Sequence, residues 1–363
     1  MSTRFWLMAG LAAALVVATM PFLSLARRYA GFQGETFVDI PKGTSTREAG
    51  RLLEEAGVIQ FGWQALLGRA LRPRTRLQAG EYRFAAPASA WEVFDRLARG
   101  DVFYYELVVP EGSDMFAIAA SLERLGALAA ADFVRQVKDP SMIRDLDPLA
   151  PSLEGYLFPA TYRVTHHQSA RNLCLEMTTR FRRTWKELGG GDAHTTVTLA
   201  SLVEKETARG EERPLVASVF CNRLRVRLPL QCDPTVIYAA ELEGRYRGAI
   251  YRADLESKHS YNTYTTAGLP PGPIANPGRA ALQAAIEPAA TDYLYFVALP
   301  DSSGAHQFSK DLEAHQRAVA KYRHGNHKNN PAHSARSLPQ PRPARGGRRG
   351  GMARVAARAG SGL

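Results

Sequence analysis

The chain has 363 residues, 45% of them hydrophobic, three cysteines and a formal net charge of +11. That length leaves room for two or three domains with buried cores, and an odd cysteine count without a close pair argues against a disulfide framework. Eight of the basic residues follow Asn326 with no acid among them, so the charge describes a tail and does not mark the body as a nucleic-acid binder.

In chain order, the first feature is an apolar run of 22 residues from Phe5 to Ala26, long enough to cross a bilayer as a helix. Arg4 precedes it and Arg27-Arg28 follow. Ser24-Leu25-Ala26 offers small residues for a signal-peptide cut, but the run exceeds a usual signal h-region. Residues 1–27 are therefore read as a cytoplasmic stub and a transmembrane anchor, with the rest of the chain exported.

A repeat follows. Val38-Asp-Ile-Pro-Lys-Gly-Thr44 matches Val108-Val-Pro-Glu-Gly-Ser113, with Pro41 over Pro110 and Gly43 over Gly112. Leu53-Glu54 then falls over Leu122-Glu123, and Gly57 over Gly126. Each copy predicts a short strand, a Pro-x-Gly turn and an amphipathic helix ending at glycine. Ala79 to Phe84 predicts a turn and strand, and Trp91, Val93, Phe94 and Leu97 another helix. Residues 35–137 thus read as one α+β module of small repeats, and 138–152 as a linker.

Residues 153–162 are aromatic, broken by Gly and Pro, and open the next domain as loop or short strand. Leu173, Met177, Phe181, Trp185 and Leu188 mark a core-facing helix, ended by Gly189-Gly190-Gly191. In the next helix Leu199, Leu202 and Val203 form one apolar stripe. Glu206 lies three and four residues beyond Val203 and Leu202, so it sits on that stripe, whereas Glu204 points away from its centre. A carboxyl on an apolar face loses hydration and its pKa rises, which suits a general acid. By itself the pattern more often marks a carboxylate that snorkels or pairs with Arg or Lys.

Val216, Val219, Phe220 and Leu224 predict another helix, and residues 230–238 a polar segment. Tyr261 to Tyr264 leads into Gly268-Leu-Pro-Pro-Gly272 and Asn276-Pro-Gly278, with Asn276 placed to cap a helix. Tyr293 to Leu299 reads as a buried strand paired with His306-Gln307-Phe308, before a last helix from Leu312 to about Tyr322. Residues 324–363, rich in Gly, Pro, Ala and Arg, read as a disordered basic tail. His324, His327 and His333 lack a structured ligand spacing, no His-Glu-x-x-His occurs, and neither metal nor cofactor is expected. Tyr, Asn, Gln, Asp and Thr on Gly/Pro-rich loops suit sugar binding, although each motif alone fits a plain turn.

These segments together resemble the endolytic murein transglycosylase family, also called YceG-like or MltG. The carrying residues are Leu153-Glu-Gly-Tyr-Leu-Phe-Pro159, Ala200-Ser-Leu-Val-Glu-Lys-Glu-Thr207, Ser218-Val-Phe-Cys-Asn-Arg-Leu224, Leu230-Gln-Cys-Asp-Pro-Thr-Val-Ile-Tyr238, Tyr261-Asn-Thr-Tyr264, Gly268-Leu-Pro-Pro-Gly272 and Tyr293-Leu-Tyr-Phe-Val297. They stand in family order across 153–323, which the resemblance makes a catalytic domain. It implies an α+β fold in which a LysM-like module over 35–137 precedes that domain. The implied activity is cleavage between N-acetylmuramic acid and N-acetylglucosamine within glycan strands, leaving 1,6-anhydro ends. The family's catalytic glutamate maps to Glu206. Glu204, Gln231, Asp233, Tyr261, Asn262 and Thr263 are expected to line the substrate groove, and Cys232 stands where the family often has Thr.

The expected partners are peptidoglycan strands, the inner membrane through a single-pass anchor with the enzyme facing the periplasm, and wall synthases as candidate proteins. No nucleic-acid partner is expected of an exported chain. Two alternatives remain open: a hydrolytic muramidase using Glu206 with Asp233, and a non-catalytic scaffold that binds peptidoglycan.

Overall fold

A computed structural model describes residue 14, residues 18–301 and residues 303–329, with side chains through residue 324. Most of the expected span over 5–26 and nearly all of the expected basic tail lie outside the described residues. Among the described residues no helix is long and apolar enough to cross a membrane. The fold is mixed α+β, with four two-stranded antiparallel sheets set among helices in the described residues.

A helix that includes residues 18–26 (α1) enters the first unit. Strand β1 (Arg28–Tyr29) follows, then β2 (Thr36–Ile40), α2 (Thr46–Glu55), α3 (Trp63–Leu71), β3 (Gly80–Phe84), β4 (Ala88–Ser89) and α4 (Ala90–Arg99). β2 and β3 pair from Thr36↔Phe84 to Ile40↔Gly80. Strand alternation then turns Val38 and Ile40 inward, where Leu25, Leu53, Tyr82, Phe84 and Leu97 join them in one core. α2 and α3 approach closely: a Cβ on Gly50 would stand 2.3 Å from the Gly62 carbonyl oxygen. Ser45 caps α2, and a Ser89–Glu92 capping box starts α4.

The second unit starts with β5 (Tyr105–Val108), α5 (Met115–Arg124), α6 (Ala130–Val137) and β6 (Thr161–Val164). β5 pairs with β6 from Tyr105↔Val164 to Val108↔Thr161, so both repeat copies are strand–helix–helix–strand. Their turns agree bond for bond. The Thr44 and Ser113 hydroxyls each donate to the proline carbonyl three residues back at 2.8 Å. Gly57 and Gly126 both take φ of 68° and donate to Glu54 and Glu123 at 2.9 Å. That left-handed conformation is where glycine is favoured at a helix end.

The apolar packing does not divide at the expected module end, residue 137. It divides between Val102 and Tyr105, because β6 lies beyond 138–160 and draws β5 toward the larger core. Leu107, Ile118, Leu122 and Phe133 accordingly pack with Leu153, Met177 and Phe181. Residues 138–152, expected as a linker or loop, run mostly as loop and turn. They bury Ile143, Asp147 and Ala150, and Asp147 accepts from Tyr156 at 2.5 Å and His194 at 2.9 Å. Between the two units, buried Glu81 accepts from the His166 backbone N–H (3.1 Å) and Nδ1 (2.9 Å).

The remaining elements are α7 (Ala170–Glu187), α8 (Ala193–Glu206), α9 (Arg213–Arg225), α10 (Asp233–Leu242), α11 (Arg252–Leu255), α12 (Arg279–Ile286), β7 (Tyr295–Ala298), β8 (His306–Ser309) and α13 (Leu312–Asn329). The expected stripe of α7 faces inward at Leu173, Met177, Phe181 and Trp185. α8 is enclosed on most sides and packs against α12 and α9. Three expectations change. Residues 233–242 form a helix, with Pro234 in the first turn and Thr235, Val236, Ala239 and Ala240 inward. α12 starts from Gly278 and not from Asn276, whose side chain is used elsewhere. α13 continues through Asn329, past the expected start of the tail at 324.

Candidate active site

Glu206 is the last residue of α8, and Thr207 ends the helix in extended conformation. The stripe that carries it is buried at Leu199, Leu202 and Val203, while Glu206 itself keeps partial exposure. Such a carboxyl is enclosed yet reachable. Enclosure raises its pKa most, and the negative charge of Asp233 raises it further. The Cys232 thiol, which donates to it, and the nearby His306 and Arg223 act in the opposite direction.

Each neighbour is held by its own scaffold. Arg223 on α9 donates from Nε to the Leu294 carbonyl (2.6 Å) and from Nη1 to that of Leu230 (2.8 Å). His306 at the start of β8 donates its backbone N–H (2.8 Å) and Nδ1–H (2.6 Å) to Glu212. Glu212 also accepts from Thr207 at 3.4 Å, which ties the end of α8 to the same group. Asp233 opens α10 and accepts from the Tyr264 hydroxyl at 2.5 Å. Cys232 is buried, and its backbone N–H donates to Thr263 Oγ1 at 3.0 Å. A carboxyl so placed can give a proton to a leaving oxygen and, once ionised, take one back.

The residues expected around Glu206 divide into two sets. Asp233 reaches it electrostatically, and Gln231 is exposed beside Cys232 with φ of 51°. Glu204 is turned inward: Oε1 accepts from Arg213 (2.8 Å), Oε2 from the Gly278 N–H (2.9 Å), and 5% of its side chain is exposed. Asn262 is fully buried, donating to the Asp254, Leu255 and Ser257 carbonyls and accepting from the Tyr264 N–H. Thr263 is buried and bonded to Thr235 and Cys232, and Tyr261 packs on Tyr238. In this conformation Glu204, Asn262 and Thr263 therefore build the walls behind the site and offer no free polar group to a substrate. Arg223, His306 and Tyr264 were not singled out by sequence reasoning. The available signals were an arginine between the apolar positions Phe220 and Leu224 and a histidine in a short strand.

Another carboxyl, Glu154, is buried and stands apart from the groups that act on Glu206. It accepts from the Met115 N–H (2.8 Å), Tyr238 hydroxyl (3.2 Å) and Asn276 Nδ2 (2.7 Å). Burial, then the charge of Asp114, pushes its pKa up to about 8. Asn276 Oδ1 in turn accepts from the Gly155 and Leu157 N–H groups, both at 2.9 Å. This pair locks four distant segments together, at residues 113–115, 154–157, 238 and 276. No group of three or more His, Cys, Asp or Glu side chains among the described residues is arranged to hold a metal ion.

The YceG-like family matches residues 38–321. An endolytic murein transglycosylase of Bacillus subtilis is 32% identical over 307 residues, covering 78% of this chain and 84% of that protein. One of Streptococcus pneumoniae is 30% identical over 322 residues, covering 78% of this chain and 58% of that protein. A crystal structure of a putative YceG-like protein from Listeria monocytogenes is 32% identical, with a TM-score of 0.51, and covers 78% of this chain and 98% of that one. With the family pattern spanning both units and ending just short of the tail, the chain belongs to the YceG-like family.

Proposed function

We propose that this chain is an endolytic peptidoglycan lytic transglycosylase in which Glu206 serves as the single acid and base. The observation that carries the reading is the enclosed but reachable Glu206 carboxyl, whose pKa burial raises above the usual carboxylate range. The similarity to proteins named endolytic murein transglycosylases supports the substrate.

Glu206 gives its proton to the glycosidic oxygen as the bond to C1 of N-acetylmuramic acid breaks. Positive charge develops on the ring, and ionised Asp233, held by Tyr264, offsets it. The Glu206 carboxylate, favoured at that moment by Arg223, His306 and the Cys232 thiol, takes the proton from the 6-hydroxyl. That oxygen closes on C1, so the product is 1,6-anhydro-muramic acid, no water is consumed, and the acid is restored. Hydrolytic glycosidases usually need two opposed carboxylates.

In the same reading residues 1–27 anchor the chain in the inner membrane with the enzyme on the periplasmic side, supported by the apolar run. The strand–helix–helix–strand units act as LysM-like glycan-binding elements. Cutting then occurs close to the bilayer, trimming or terminating nascent strands, with wall synthases as candidate partners.

Mass spectrometry of peptidoglycan digested by the purified chain tests the reading. Internal fragments ending in 1,6-anhydro-muramic acid are expected, and Glu206→Gln should lower cleavage by ~10²–10⁴ while the fold persists. Because Asp233 is near enough to act on Glu206, a hydrolytic muramidase is the second reading, and products one water heavier would establish it instead. Uncut strands would favour a binding scaffold.

A further inference from the structure

Helix α3 is built inside out for a solvent-facing helix. Its buried positions are Gln64, Ala65 and Gly68, and Leu67 packs on the first core, whereas Trp63, Leu66 and Leu71 face outward. Trp63 is 42% exposed, Leu66 39% and Leu71 45%, and Phe61 just before the helix is 41% exposed. The Phe61 and Trp63 rings stack at 6.0 Å with planes 13° apart, so the apolar surface is organised before anything covers it. Amphipathic helices normally bury their large apolar side chains, and contiguous exposed apolar surface marks an interaction site.

Two observations identify what covers it. First, α3 is tied to α1: Gln64 Nε2 donates to the Ser24 carbonyl at 3.0 Å, and Leu25 is buried in the first core. The chain therefore enters this unit against Gln64, the residue after Trp63, and α1 itself exposes Met20, Phe22 and Leu23. Second, the segment after α3 is basic. Arg74 and Arg76 are exposed and make no ion pair among the described residues. Apolar and aromatic residues beside free arginines match a helix lying in the headgroup region of an anionic bilayer.

We propose that α3 is a second, interfacial membrane contact, in which Phe61, Trp63, Leu66 and Leu71 enter an anionic bilayer next to the point where α1 leaves it. The proposal rests on the anchor reading for its geometry. It would fix the first unit against the membrane so that the chain does not swing freely on a single tether.

The test places the full chain in phosphatidylglycerol vesicles whose acyl chains are brominated, and compares tryptophan quenching in wild type and Trp63→Phe. Roughly a twofold loss of quenchable emission is expected in the variant, since Trp6 and Trp63 would be the tryptophans at lipid depth. Leu66→Glu should reduce quenching of Trp63 in the same direction. Equal quenching in wild type and Trp63→Phe overturns the proposal, including the case where crosslinking finds this face against a second copy. Equal quenching in neutral vesicles overturns its anionic part. A carbonate wash reports the anchor separately: release of the chain removes the anchor reading, while quenching of Trp63 before the wash still decides α3.

Discussion

Replacing Asn276 with Ala should cost more stability than any single core truncation of similar size. The side chain is fully buried and makes four hydrogen bonds. The Ser113 carbonyl keeps a partner, because the Asn276 backbone N–H also donates to it at 2.9 Å. The Gly155 N–H, the Leu157 N–H and Glu154 Oε1 keep none among the described residues. At ~1–3 kcal/mol for each unsatisfied buried group, and allowing for partial relaxation, the loss is ~3–6 kcal/mol. Whole domains hold only about 5–15 kcal/mol, so the variant should be close to unfolding. Urea denaturation followed by circular dichroism measures it. A loss below ~1 kcal/mol would refute the bridge as a stabilising element, because even one orphaned group costs that much. Asn276→Asp sharpens the test: it keeps the acceptor for both N–H groups but sets a carboxylate against Glu154. It should be tolerated at acid pH and fail as both groups ionise.

Three further outcomes are expected. Glu154 has an ordinary pKa of 4.5 and is raised to about 8 in the fold, so the folded chain holds its proton longer than the unfolded one. Its contribution is therefore complete below the lower value and declines as pH rises to the higher one, by up to ~1.4 kcal/mol per pH unit. Denaturation curves across that window should be flatter for Glu154→Gln than for wild type, and parallel curves would contradict the assignment. In the pH–rate profile of cleavage, activity should fall as Glu206 ionises on the alkaline side. Asp233→Asn removes a negative charge that raises the Glu206 pKa, so that limb should move to lower pH, and a shift upward would count against the pairing. Gly155→Ala should destabilise by ~1–3 kcal/mol in thermal melts, because φ is +89° and a Cβ would stand 2.4 Å from Pro273.

Much of the local structure was legible. The spacing of Leu173, Met177, Phe181 and Trp185 marks a buried helix face, and the Pro-x-Gly turns with Gly57 and Gly126 mark two equivalent units, because period and backbone conformation are set by near neighbours. Glu206 could be picked from the stripe of its own helix for the same reason. Residues 233–242 were less legible, since Pro234 and the polar residues around it fit a turn as well as a helix start.

The sequence by itself determined the family motifs, the periodicity of the helices, the repeat and the place of Glu206 on an apolar helix stripe. Only the tertiary structure decided what surrounds that carboxyl. Arg223, His306, Asp233 and Tyr264 come from separate helices, strands and loops, and nothing in their own spacing says that they meet. It also decided that Asn276 bridges Glu154 and two backbone N–H groups instead of capping a helix, and that the second repeat copy joins the larger core. The physical reason is the same in each case. Side-chain direction along a helix follows from residues three and four apart, whereas the partner of a buried polar group or of a strand is chosen by long-range packing.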